Sequence, residues 1–217
     1  MADLPFELAT PLARRLRAAV DLEDKIPRAL EALGPLTDRR VGFIDVPDGE
    51  LLETLTAPVA EAVTIAPGSP LRIERADGSL DCVVGLWSAF RGVQEGDLVE
   101  VDRALAPDGR LLVVHDYGRD DVSALVEPDG PQYAVWSRRE GPFLRGGGFK
   151  IRVLHCFWTF ESVEEAQAFL VDAFGERGAA VGADLRRRRL SWNVAVYHRW
   201  RGGIAPAADP ALDPATV

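Results

Sequence analysis

Asp97-Leu-Val-Glu-Val-Asp-Arg-Ala-Leu-Ala-Pro-Asp-Gly-Arg-Leu-Leu-Val-Val-His-Asp-Tyr117 is the stretch on which the reading of this chain turns. Leu98, Val101 and Leu105 recur at helical spacing and give one apolar face, while Glu100, Asp102 and Arg103 remain polar. Pro107 cannot continue a helix, and Asp108-Gly109 predicts a tight turn. Leu111–Val114 is then an unbroken apolar run, as expected of a strand covered on both faces of a parallel sheet. His115, Asp116 and Tyr117 fall where that strand ends, and in open α/β sheets ligands bind at the carboxyl edge.

This helix, turn and strand resemble a passage of the class I S-adenosylmethionine (SAM)-dependent methyltransferases. Leu105-Ala-Pro-Asp-Gly-Arg-Leu-Leu-Val113 is similar to the family's Leu-x-Pro-Gly-Gly-x-Leu-Leu-Val. Upstream, Ala76-Asp-Gly-Ser-Leu-Asp-Cys-Val-Val84 is similar to the Asp-Gly-Ser-Phe-Asp-Val-Val that enters its fourth strand. The resemblance covers about residues 30–199. It implies a Rossmann-like, doubly wound α/β fold with a mostly parallel sheet and an antiparallel C-terminal strand pair.

The same resemblance locates departures. The family's first strand runs into Val-Leu-Asp-Leu-Gly-Cys-Gly-Thr-Gly, where this chain has Val41-Gly-Phe-Ile-Asp-Val-Pro-Asp-Gly49. Asp45 and Pro47 replace two glycines against which the cofactor would rest, and Pro47 has no N–H to donate. Ala66-Pro67 ends the second strand, where the family has an acid for the ribose hydroxyls. Residues that the resemblance implies for SAM are Asp45, Asp48, Gly49, Trp87 and Ser88. The catalytic candidates are His115, Asp116 and Tyr117, a His/Asp pair being able to act as general base or to bind a polar substrate. Two functions follow as expectations. One is a divergent SAM-dependent methyltransferase acting on a small molecule; the other is a non-catalytic binding or scaffold protein that has kept the fold and lost the cofactor.

Length enters next. From Pro47 to Leu80 there are 34 residues, whereas three crossovers and two strands need roughly 46 at about a dozen per crossover and five per strand. The sheet is therefore predicted to be shortened between its second and fourth family strands. Pro67, Gly68 and Pro70 leave no helix between Val63 and Asp81, and Leu71–Glu74 becomes a stub strand or extended loop.

Residues 1–201 read as one domain with leading helices over 1–34, and 202–217 as a disordered tail. A helix over Pro11–Leu33 is predicted to break at Pro27, and a short helix capped by Asp48 to carry Leu51, Leu52 and Leu55. Residues 119–148 read as irregular, with Arg145–Gly148 a turn or hinge. Phe149–Phe160 is a late strand. Ser162 and Glu165 form a capping box for a helix that Gly175 ends. Arg186–Arg189 is a solvated lead-in to a last strand over Leu190–Tyr197. His155 reads as core and His198 as surface, Trp87, Trp136, Trp158 and Trp192 as aromatic core.

At −9 the net charge argues against a nucleic-acid partner. No apolar run reaches membrane-spanning length, and Cys82 and Cys156 lie in apolar runs as free thiols of a reducing cytoplasm. No metal-ligand spacing, nucleophile elbow or phosphate loop occurs.

Overall fold

The structure is a computed structural model and describes residues 8–45, 53, 57–87, 94–126 and 133–203. Six strands form one sheet: β1 Arg40–Ile44, β2 Glu61–Ile65, β3 Leu80–Leu86, β4 Leu105–Asp116, β5 Lys150–Thr159 and β6 Arg189–Trp200. Their order is β2-β1-β3-β4-β6-β5. The first four run parallel, while β6 is antiparallel to both β4 and β5. Helices α1 (Thr10–Arg17), α2 (Lys25–Leu33), α3 (Glu95–Ala104), α4 (Tyr133–Trp136) and α5 (Val163–Asp184) complete the described elements, with 3-10 turns at Val122–Leu125 and Arg201–Gly203 and a π-helical turn at Pro142–Gly146.

Alternate residues of the central strands feed two cores. Phe43, Val84, Leu112 and Val114 pack with Leu16, Leu30, Phe169 and Trp192 on one face. Ile44, Val83, Leu111 and Val113 pack with Leu98, Val101, Phe143 and Tyr197 on the other. Covered on both sides, β1, β3 and β4 read as apolar runs rather than alternating ones. The architecture is the doubly wound, mostly parallel sheet expected, with its antiparallel pair at the C-terminal side.

The shortening falls where the residue count places it. No helix lies between Val63 and Asp81, and Leu71–Glu74 has no regular secondary structure. Helix α3 holds that segment with one face. Asp97 Oδ1 accepts the Leu71 N–H (2.9 Å), and Glu100 Oε1 accepts that of Ile73 (2.8 Å). Arg103 donates to the Ile73 and Arg75 carbonyls (2.8 and 2.9 Å). Three charged side chains at i, i+3 and i+6 thus satisfy a strand-like backbone that has no sheet partner there. The Arg103 guanidinium holds the Glu100 carboxyl down at about 2.

Several expectations need correction. The break in the leading helix lies at residues 18–24, not at Pro27. There the chain leaves the helix to pair with β5, through Asp21 N–H to the Phe157 carbonyl (3.1 Å) and Thr159 N–H to the Ala19 carbonyl (2.8 Å). Asp21 then accepts the Lys25 and Ile26 N–H groups (3.1 and 2.7 Å). Pro27 sits in the first turn of α2, where a missing N–H costs nothing. Asp108-Gly109 is no free turn: Leu80 pairs with Leu105 but Cys82 with Arg110, so Ala106–Gly109 bulges out of β4. The described part of residues 119–148 holds three short helical turns. The helix capped by Asp48, and the tail beyond Gly203, lie outside the described residues.

Gly175 ends the first helix, as expected, and what the sequence did not show is that a second helix follows it at once. At φ 57°, ψ −134° it breaks α5 into two pieces, and the second folds back on the first. Gln167 Nε2 reaches the Gly182 carbonyl at 2.9 Å, and a Cβ on Gly178 would meet the Leu170 carbonyl oxygen at 1.8 Å. Glycine is required there by close approach of two backbones. Gly178→Ala is expected to lower stability by about 1–3 kcal/mol, the usual cost of overpacking, read as a reduced urea midpoint at unchanged slope. The N-terminal cap is as predicted, with the Glu165 N–H donating to Ser162 Oγ at 3.0 Å.

Candidate functional site

The strand order reverses between β1 and β3, which makes their carboxyl ends the switch point at which such sheets open a crevice. Asp45 follows β1, Trp87 follows β3, and Ala66 follows β2. Asp48, Gly49 and Ser88, also expected here, lie outside the described residues. Asp45 adopts φ 49° and donates its N–H to the Ile65 carbonyl at 3.0 Å. Where the family has glycine, the left-handed backbone is present but carries an aspartate, one of the few residues that tolerate it. Ala66 is exposed and lines a cavity of about 660 Å³ with Pro67, Arg72 and Glu74. The acid expected at the end of β2 is not replaced in place, and the carboxylate that lines this cavity with Ala66 is Glu74, from the segment after β2.

The end of β4 divides its three candidate residues. Successive strand residues face opposite sides, so His115 enters one core and Asp116 the other. His115 is 0% exposed, with its ring 4.7 Å from Trp136 and 5.9 Å from Phe143. Asp116 is 5% exposed, and its Oδ1 accepts two indole N–H bonds, from Trp87 (3.1 Å) and Trp192 (3.0 Å). Those indoles stack with centroids 5.7 Å apart at 14°. Burial pushes the Asp116 carboxyl up to about 7, against the two indole bonds, which pull it down, while Asp120 adds a small push upward. Tyr117 is half-buried, donates its N–H to the Asn193 carbonyl at 2.8 Å, and lies 5.7 Å under the Arg119 guanidinium. His115 and Asp116 therefore do not act as a pair.

Sequence reading missed the polar clasp beyond Tyr117. Asp120 accepts from the Ser123 N–H and hydroxyl (2.8 and 2.7 Å) and from the Asn193 N–H (2.6 Å). Asp121 Oδ2 accepts from the Ser191 N–H and hydroxyl (2.8 and 2.7 Å). Asn193 in turn donates to the Gly118 and Arg119 carbonyls, both at 3.2 Å. The spacing Asp120-x-x-Ser123 was the available signal, since Asp commonly accepts from a backbone N–H two or three residues on.

The other expected polar residues also move. His155 is exposed, not core: β5 is an edge strand, and the ring contacts Asn193 Oδ1 through Nδ1 at 2.8 Å. His198 lies within β6, half-buried, and burial depresses its pKa, with Arg110, Lys150 and Arg152 adding to the effect. Trp87, Trp158 and Trp192 are core, whereas Trp136 is half-buried. Both cysteines are buried free thiols. Among the described residues no group of ligands fit for a metal occurs, and no helix is long and apolar enough to cross a membrane.

No family model and no curated protein matches this sequence. Solved structures do share the course of its chain. A SAM-dependent methyltransferase from Aquifex aeolicus is 16% identical at TM-score 0.45, covering 86% of this chain and 97% of its own. The YcgJ protein of Bacillus subtilis is 13% identical at TM-score 0.46, covering 79% and 96%. A phosphoethanolamine N-methyltransferase 2 of Haemonchus contortus is 13% identical at TM-score 0.43, covering 83% of this chain and 52% of the other.

Proposed function

We propose that this protein is a methyltransferase-like binding or scaffold protein of the cytoplasm, a fold that has kept its sheet and given up tight SAM binding. The burial of His115 and Asp116 on opposite faces of β4 carries this reading: neither is placed to touch a substrate, and Asp116 serves two indoles. Residues at the switch point do not fit the cofactor. Asp45 puts a negative charge where a methionine carboxylate would lie, and Ala66 offers the ribose no acceptor.

One observation favours the alternative, a divergent SAM-dependent methyltransferase acting on a small molecule: Glu74 shares the cavity beside Ala66 and is a carboxylate of the kind ribose hydroxyls need. In that case Tyr117, half-buried just past the end of β4, is the candidate left to meet a substrate.

Thermal unfolding separates the two. A ligand at a hundred times its Kd stabilises a native protein by about 2.7 kcal/mol, several degrees for a chain of this size. Millimolar S-adenosylhomocysteine is expected to leave the midpoint unchanged. A rise of several degrees, abolished in Glu74→Ala, would establish the enzyme reading.

A further inference from the structure

The far edge of the sheet carries a charge pattern at odds with the rest of the chain. Between α2 and β5 lies a cavity of about 510 Å³, lined by Lys25, Arg28, Arg152 and His155 over a floor that includes Ala29 and Val153. No carboxylate lines it, in a chain of net charge −9. Both lysines of the sequence, Lys25 and Lys150, stand here. Lys25 pairs with Glu23 at 2.6 Å, and Arg28 donates to the Asp24 and Glu23 carbonyls. Lys150 and Arg152 are exposed, and among the described residues neither has an ion pair. Beyond the effect of burial, both, with Arg110, disfavour a charge on the neighbouring His198.

The backbone of β5 supplies the second half of the argument. Antiparallel strands turn the N–H and C=O of alternate residues outward. In β5 these are the odd-numbered residues, since the His155 carbonyl accepts from Lys25 Nζ (2.7 Å), the Phe157 carbonyl from Asp21 and the Thr159 N–H is taken by Ala19. The leading segment thus covers the upper edge and stops. Below it, among the described residues, nothing partners the outward groups of Ile151 and Val153. Natural proteins protect open strand edges; among the described residues this one is left open, and it is flanked by positive charge.

We infer that the Lys150–His155 edge of β5 is a docking site for an extended acidic segment of a partner protein, which adds a seventh strand to the sheet. The partner strand takes the free N–H and C=O groups of Ile151 and Val153. Its alternate acidic side chains lie on the α2 side, against Arg152, Lys150 and Arg28. Backbone bonding fixes the register, while charge selects the sequence and makes binding sensitive to salt.

A fluorescein-labelled eight-residue peptide of alternating Glu and Val tests this by anisotropy with the full chain at low salt. Saturable binding is expected, with none for the Lys/Val counterpart. Arg152→Glu is expected to weaken it about tenfold or more, as loss and reversal of one charge-assisted contact would. N-methylation of alternate peptide amides is expected to abolish it by removing the donors of the added strand. Absence of saturable binding overturns the proposal. So does binding indifferent to N-methylation, or equalled by tripolyphosphate or by phosphatidylserine vesicles, because the face would then be a general anion surface. These outcomes are independent of whether SAM binds.

Discussion

Asp116→Asn is expected to stabilise the protein at pH 8 by up to about 4 kcal/mol and to remove most of the difference between its stabilities at pH 4 and pH 8. In the folded protein the Asp116 carboxyl titrates at about 7 instead of 3.8, chiefly because it is buried. A raised carboxyl pKa means that between those two values the native state holds a proton that the unfolded chain has released. The stability this group contributes is therefore fully present below 3.8 and is lost as pH rises to about 7, at about 1.4 kcal/mol per unit. Asparagine cannot ionise, yet its Oδ1 still accepts the Trp87 and Trp192 N–H groups. Urea unfolding at both pH values reads the effect. Wild type equal to the variant at pH 8 would show the carboxylate to be solvated or compensated. Asp116→Ala is the contrasting case: it strands two buried indole donors, each costing about 1–3 kcal/mol, and is expected to destabilise at both pH values.

Asp116 also shows how far the sequence can be read. The passage from Asp77 to Tyr117 yields β3, α3 and β4 with small errors, because apolar runs and helical spacing are local signals. That passage put Asp116 at a carboxyl edge, which is where it lies. A place at that edge does not by itself give access to solvent: two tryptophans distant in sequence cover the carboxyl. Alternation along β4 by itself requires His115 and Asp116 to face opposite sides of the sheet.

Other elements were hidden for reasons of the same kind. Gly178 and Gly182 lie beyond the helix that Gly175 ends and carry no local signal; only the fold-back of a second helix makes them the contact between two. His155 looks like a core residue until the strand order puts β5 at the edge of the sheet. The missing helix after β2, by contrast, followed from counting residues, and its substitute from the face of α3 that bears Asp97, Glu100 and Arg103. The polar clasp of Asp120 and Asp121 on Ser191 and Asn193 joins residues about seventy apart, beyond the reach of any local pattern.

The largest effect expected of this protein is the weakness of its affinity for SAM. Two contacts carry it. In the sequence after β1, Pro47 has no N–H to donate, and Asp45 would set a like charge near the methionine carboxylate of a SAM bound as the family binds it. At the end of β2, Ala66 leaves the ribose hydroxyls without a bidentate acceptor. Each charge-assisted hydrogen bond lost costs about 1.5–3 kcal/mol. Two or three together amount to roughly 4–6 kcal/mol, or three to four decades of affinity, enough to turn a micromolar site into one that is empty in the cell. Titration calorimetry of the full chain with SAM and with S-adenosylhomocysteine measures this directly. The account predicts no saturable heat up to millimolar ligand; a dissociation constant in the micromolar range would contradict it and return the protein to the enzymes.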